Sequence, residues 1–91
     1  GSWLLDASMM VERFCSMFDV DEMPGSDSGG FHTIGGFVMH QLGRVPRVAD
    51  HFECLSMRFE VLDMDRHRVD KVLLTLLESP ADADKREKYD A

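Results

Sequence analysis

His51–Leu77 reads HFECLSMRFEVLDMDRHRVDKVLLTLL. Within it HFECL, MRFEVLDM and RVDKVLLTLL alternate or run apolar and are rich in β-branched and aromatic residues, with polar breaks at Ser56 and from Asp65 to His67. Successive strand side chains point to opposite faces, so a period of two interrupted by short breaks is the pattern of strands joined by tight connections. Three consecutive antiparallel strands are the simplest arrangement of this segment.

Working outward, the period changes. Ile34, Phe37, Val38 and Leu42 recur at helical spacing after Thr33, whose hydroxyl suits an N-cap. Gly43 stands where a left-handed C-terminal residue is wanted, and Pro46 prevents the helix from resuming. Further upstream, SMMVERFCSMF carries Met10, Val11, Phe14, Met17 and Phe18 on one helical face, with Ser8 as its N-cap and Asp6 as the alternative cap. SWLLD, Ser2–Asp6, reads as a brief strand. Met9, Met10 and Met17 read as flexible fillers of the core, and Trp3 as either a core anchor or an interface residue. Between the helices, DVDEMPGSDSGG from Asp19 to Gly30 has turn residues and no apolar period, so a mobile surface loop is expected.

The element order is strand, helix, loop, helix and a three-stranded meander. It predicts a two-layer α+β domain over residues 1–78, with two helices on one face of a mainly antiparallel sheet and the other face or an edge left for a neighbour. Residues 79–91 have lost apolar periodicity and are expected to be a disordered tail.

A chain of 91 residues with 44% hydrophobic content can build one small core. Its net charge of −7 argues against nucleic acid and against anionic membrane surfaces, both of which call for a basic face. VLLTLL is far shorter than the roughly 20 apolar residues of a membrane helix. Cys15 and Cys54 are too few for a disulfide framework and sit among apolar neighbours, which points to small buried thiols in the cytosol.

The stretch GGFHTIGGFVMHQLG, Gly29–Gly43, invites a phosphate-loop or metal reading. A phosphate loop ends in lysine and a hydroxyl residue, whereas Gly36 and Phe37 follow Gly35 here, and Lys71, Lys85 and Lys88 all lie elsewhere. If both were helical, His32 and His40 would stand about 12 Å apart along the axis, too far to share one ion. His51 and His67 are unplaced by the sequence. Asp19 and Asp21, and Asp63 and Asp65, are candidate oxygen ligands on loops for weakly bound Ca²⁺ or Mg²⁺, although neither pair follows the EF-hand spacing. Neither cysteine has an adjacent histidine and no GxSxG elbow exists, so no catalytic residues, no resident cofactor and no enzyme are expected. Gly35 and Gly36 in a helix's first turn cost about 1 kcal/mol each against alanine. Close approach of the helix backbone to the sheet would compensate, with His40 facing outward.

Read in order, GSWLLDA, TIGGFVMHQLGRVP, Asp50 and Phe52, and MRFEVLDMDRHRVDKVLL resemble the transporter-associated domain of the CorC/HlyC type, from Gly1 to Leu77. The resemblance implies an α+β fold akin to half of certain flavin-binding domains, without the dinucleotide fingerprint that FAD would need. It also implies a C-terminal, non-enzymatic accessory or regulatory domain of a larger magnesium and cobalt efflux protein, with "hemolysin" as an older label. The partners implied are the CBS domains of the parent chain, with a homodimer through the sheet edge as a further option. The setting implied is the cytoplasmic face of the inner or plasma membrane, reached only through the parent protein, with Gly1 and Ser2 as native residues. This chain departs from the family at Ala49, Ser56 and Arg66, where relatives carry glycine, so its turns are expected to differ there.

Overall fold

A computed structural model describes residues 1–26 and 29–77; the tail expected to be disordered lies outside the described residues. The elements are β1 (Ser2–Asp6), α1 (Val11–Phe18), α2 (Ile34–Leu42), β2 (His51–Cys54), β3 (Met57–Asp65) and β4 (Arg68–Leu76). The meander forms as its alternation predicts, and β1 adds to the free edge of β4, giving the order β1-β4-β3-β2 with every pair antiparallel. Both helices lie on one face. The architecture is therefore the expected two-layer α+β domain.

The core forms where the two apolar periods meet. Phe14, Ile34, Phe37 and Val38 from the helices are buried against Leu5, Phe59, Val61, Val72 and Leu74 from the sheet. Phe59 stacks on Phe52 at 5.2 Å and meets Phe37 at 5.4 Å and Phe14 at 5.8 Å, so one strand residue ties both helices to the hairpin. Burying a side chain of this size contributes about 1.5–3 kcal/mol.

Thr33 caps α2 as expected, its Oγ1 accepting from the Gly36 N–H at 3.1 Å, and Gly43 closes the helix at φ 72°. The glycine pair divides its work. A Cβ on Gly35 would stand 3.0 Å from the Ala7 Cβ and 3.5 Å from the Val69 carbonyl oxygen, so this glycine permits the predicted close approach to the sheet. Gly36 instead faces Phe31 and Thr33.

The first helix departs from the expectation. It starts at Val11 with Met10 as N-cap and no side-chain cap, so neither Ser8 nor Asp6 serves it. The Val11 N–H donates to the His32 carbonyl at 2.8 Å, beside an isolated bridge between Met10 and Thr33, while Glu12 and Arg13, whose N–H groups a side-chain cap would serve, are exposed. Met10 and Met17 are each 51% exposed, which corrects their assignment to the core; α1 is short and turns Phe14 inward instead. The loop after α1 is also more tied than its composition suggests, since Met23 is buried to 2% exposure within it. The two thiols are half-buried rather than buried.

Ala49, Ser56 and Arg66 hold φ of 79°, 59° and 60°, the left-handed region, and Leu55 joins them at 56°. Each of these positions has a backbone that suits glycine yet carries a side chain. Strand pairing holds that backbone at two of the turns, because Cys54 pairs with Met57 across Leu55 and Ser56, and Asp65 pairs with Arg68 across Arg66 and His67.

Between those ends the ladder shifts twice, leaving Leu62 and Asp70 out of register. Strict alternation from Val61 would send Asp63 and Asp65 toward the core. The bulges rotate them outward and turn Met64 toward the core instead. Asp63 and Asp65 are thus exposed strand residues, not loop residues as expected.

Candidate functional site

Two concave regions lie at opposite ends of β3. The first, a cleft of about 350 Å³, forms where β1 ends, α2 begins and the β3–β4 turn closes. Its polar lining includes Asp6, Ser8, Thr33, Asp65, Arg68 and Asp70. Asp6 Oδ1 accepts from the Ser8 N–H at 2.9 Å and from the Ser8 hydroxyl at 2.7 Å, while Oδ2 accepts from Lys71 Nζ at 3.1 Å. The Ser8 bonds first, and then Lys71, hold the Asp6 carboxyl down at about 2. In return Asp6 raises the Lys71 ammonium above its ordinary value.

The start of α2 borders this cleft, and its donors are already used. Ile34 N–H bonds to the Met9 carbonyl at 2.9 Å, Gly35 N–H to the Ala7 carbonyl at 2.9 Å, and Gly36 N–H to Thr33. A phosphate cradle needs free backbone donors at a helix start. Here the protein's own β1–α1 connection and the Thr33 hydroxyl occupy them, so the glycine-rich stretch binds the fold to itself.

The second region is a groove of about 670 Å³ between the end of α1 and the β2–β3 hairpin. Phe18, Val20, Leu55, Met57 and Leu76 supply apolar walls, and Asp19, Asp21 and Glu22 supply an acidic rim.

Asp19 and Asp21 line the groove, and Asp65 lines the cleft, with Asp63 nearby on the same strand. Met57 belongs to the groove and Asp65 to the cleft, so the two acidic pairs are separated by the length of β3, about 26 Å at 3.3 Å per residue. The structure does not bring them into one site. Asp63 accepts from the Met64 N–H at 3.0 Å. Among the described residues no three histidine, cysteine, aspartate or glutamate side chains converge to hold a metal ion.

His40 is exposed, its ring 5.2 Å from that of Phe31, and His51 Nδ1 lies 3.2 Å from the Ala49 carbonyl oxygen. Burial raises the Cys15 thiol, with Asp21 adding to the effect, and burial alone pushes Cys54 to about 11, so neither is activated as a nucleophile. Sequence reasoning missed Asp70, which only the bulge presents, and treated Asp6 and Ser8 as helix caps. The Asp-x-Ser spacing of Asp6 and Ser8 was the available signal, because an aspartate readily accepts from the residue two places on.

No helix among the described residues is long and apolar enough to cross a membrane. The family model described as "Transporter associated domain", CorC_HlyC, matches residues 1–78. A UPF0053 protein of Synechocystis is 42% identical over 77 residues, which cover 85% of this chain and 17% of that protein. A protein of Escherichia coli K12 named "Polyamine export protein" is 38% identical over 83 residues, 91% of this chain and 18% of that one. The transporter associated domain of a Xylella fastidiosa hemolysin, solved in complex with Mg²⁺ and Mn²⁺, superposes with a TM-score of 0.72 at 29% identity, covering 86% of this chain and 90% of that one. The chain thus spans less than a fifth of the length of the curated relatives it matches. With the ordered sequence features, the two-layer fold and the match over residues 1–78 in agreement, this chain belongs to the CorC_HlyC transporter associated domain family.

Proposed function

We propose that the chain is a non-enzymatic accessory domain that regulates a larger cation-exporting membrane protein through contacts with the CBS domains of the same polypeptide, at the cytoplasmic face of the membrane. The observation that carries this reading is the family match over residues 1–78 by a chain that amounts to only 17% of its 42%-identical relative. A module of that size works within the larger protein. The half-buried, unactivated thiols and the occupied helix start support a role without chemistry of its own.

The cargo class is a cation. The family resemblance suggests Mg²⁺ and Co²⁺, and the name of the Escherichia coli relative widens the class to organic polyamines. The test removes residues 1–78 from the full-length gene product and follows efflux of Mg²⁺, Co²⁺ and a polyamine from preloaded cells at matched membrane abundance. Altered efflux, or altered dependence on internal cation, is expected. Unchanged transport of all three with unchanged assembly refutes the proposal.

A second reading, a weak Ca²⁺ or Mg²⁺ sensor, draws support from the Xylella fastidiosa domain solved with Mg²⁺ and Mn²⁺. It assigns binding to the cleft end, through Asp63 and Asp65, or to the groove end, through Asp19 and Asp21. Calorimetry at millimolar metal tests it. Heat that disappears in Asp63→Asn/Asp65→Asn and persists in Asp19→Asn/Asp21→Asn places the ion at the cleft end, the converse places it in the groove, and a flat titration of the unaltered chain removes this reading.

A further inference from the structure

The groove at the end of α1 has walls and a rim that make opposite demands. Leu55 and Leu76 are 40% and 42% exposed on its sides, and Trp3 stands edge-on to Phe18 at 5.3 Å with 39% of its own surface open. Apolar surface of this kind at a concavity favours a partner that removes it from water. Asp19, Asp21 and Glu22 line the same groove. Among the described residues the ion pairs are Arg44–Asp50, Arg58–Glu60 and Lys71–Asp6, so none of the described cations pairs with this rim. Among the described residues Glu22 accepts a neutral bond, from the Ser26 hydroxyl at 2.8 Å.

A purely apolar partner would strip water from three carboxylates without compensation, which costs more than the apolar contact returns. A purely polar cationic partner would leave Leu55 and Leu76 in water. Both demands are met by a peptide segment that places one or two large apolar side chains in the groove and Lys or Arg beside the rim.

We infer that this groove docks such a basic, apolar segment from the same polypeptide outside these 91 residues; the inference rests on the accessory role proposed above and names its contact surface. Two observations point to that source. The match spans only 17–18% of the length of its first relatives, and in a parent protein of that length a tethered partner would be present at high effective concentration. Gly1 lies at this end of the sheet, its carbonyl accepting from the Leu76 N–H at 3.0 Å, so any polypeptide that preceded it would emerge close to the groove. A second copy fits poorly, because each copy carries a net charge of −7 and would bring acids to an acidic rim.

The test compares amide hydrogen exchange of the full-length gene product with that of the 91-residue chain. Asp21, Glu22, Leu55 and Ser56 should exchange at least tenfold more slowly in the full-length protein. That difference should shrink in 0.5 M salt and vanish in full-length Asp19→Asn/Asp21→Asn and in full-length Leu55→Asn. Asparagine accepts the left-handed backbone at positions 19 and 55, so both variants should keep their fold. Equal exchange in the two proteins, or protection indifferent to both variants, overturns the inference. Protection in the short chain that grows with concentration assigns the groove to a second copy. Protection in the short chain that disappears when it is cut after Leu77 assigns it to residues 78–91, and either result overturns the inference. Efflux after deletion is read separately, so failure of docking and failure of the regulatory role are distinguishable.

Discussion

Replacing Ala49 by glycine should make the protein more stable. Ala49 is the third residue of the Arg47–Asp50 turn, in which the Asp50 N–H donates to the Arg47 carbonyl at 3.0 Å and Ala49 holds φ 79°. That is the position and sign at which a type II turn calls for glycine. The turn cannot relax. The Ala49 N–H donates to the Val61 carbonyl at 2.8 Å, the Val61 N–H returns a bond to the Asp50 carbonyl at 2.8 Å, and Asp50 Oδ2 accepts from the Arg47 N–H at 2.8 Å and from the Arg44 guanidinium at 2.7 Å. A left-handed backbone costs an L-residue about 1–2 kcal/mol. Glycine returns about 0.5–1 kcal/mol of that through its greater freedom when unfolded. Ala49 is exposed, so little burial is lost with its Cβ. The net gain is about 0.5–1 kcal/mol, which for a domain of this size raises Tm by about 2–8 °C. Paired thermal and urea unfolding of Ala49→Gly and Ala49→Val measures it. Valine, with its branched Cβ, should lower both midpoints. A fall in both midpoints on going to glycine would show that the turn is not held left-handed, and the reasoning would fail for Ser56 and Arg66 as well.

Thr33→Ala should cost about 1 kcal/mol in urea unfolding by orphaning the Gly36 N–H, while Thr33→Ser should retain most of the stability. Gly35→Ala should destabilise despite the roughly 1 kcal/mol that alanine gains in a helix, because the new Cβ meets the Ala7 Cβ at 3.0 Å and the Ala7 carbonyl oxygen at 3.3 Å, neither of which is the end of a flexible side chain. Chemical denaturation reads the sign. Asp6 is lowered from 3.8 to about 2, so its contribution to stability is fully present above pH 4 and is lost as pH falls through 2. The Tm advantage of the unaltered protein over Asp6→Asn should therefore be constant from pH 5 to 7 and shrink between pH 4 and pH 2, and an advantage that persists unchanged to pH 2 would contradict the Ser8 and Lys71 contacts.

Much of the fold is legible because its signals are local. Alternation in His51–Leu77 specifies the meander, and Thr33 and Gly43 mark the ends of α2 through bonds that span only a few residues. α1 was less legible. Its first donor is met by His32, a partner distant in sequence, whereas Ser8 and Asp6, the cap residues nearby in sequence, do not serve it. Met23 sits in an acidic, glycine-rich loop whose composition conceals that one residue enters the core.

The sites divide along the same line. Composition and spacing by themselves determined that Gly29–Gly43 is no lysine-bearing phosphate loop, that neither cysteine has an adjacent histidine, and that the ordered motifs resemble one family. Only the tertiary structure decided where Asp63 and Asp65 point, because the shifts that leave Leu62 and Asp70 out of the β3–β4 register arise from fitting β3 to β4. Only it placed Asp19 and Asp21 at the far end of the sheet from them and joined Phe18, Leu55 and Leu76 into one groove. A helix or a turn is chosen by neighbours along the chain, whereas a surface is assembled from segments that meet only once the sheet has closed.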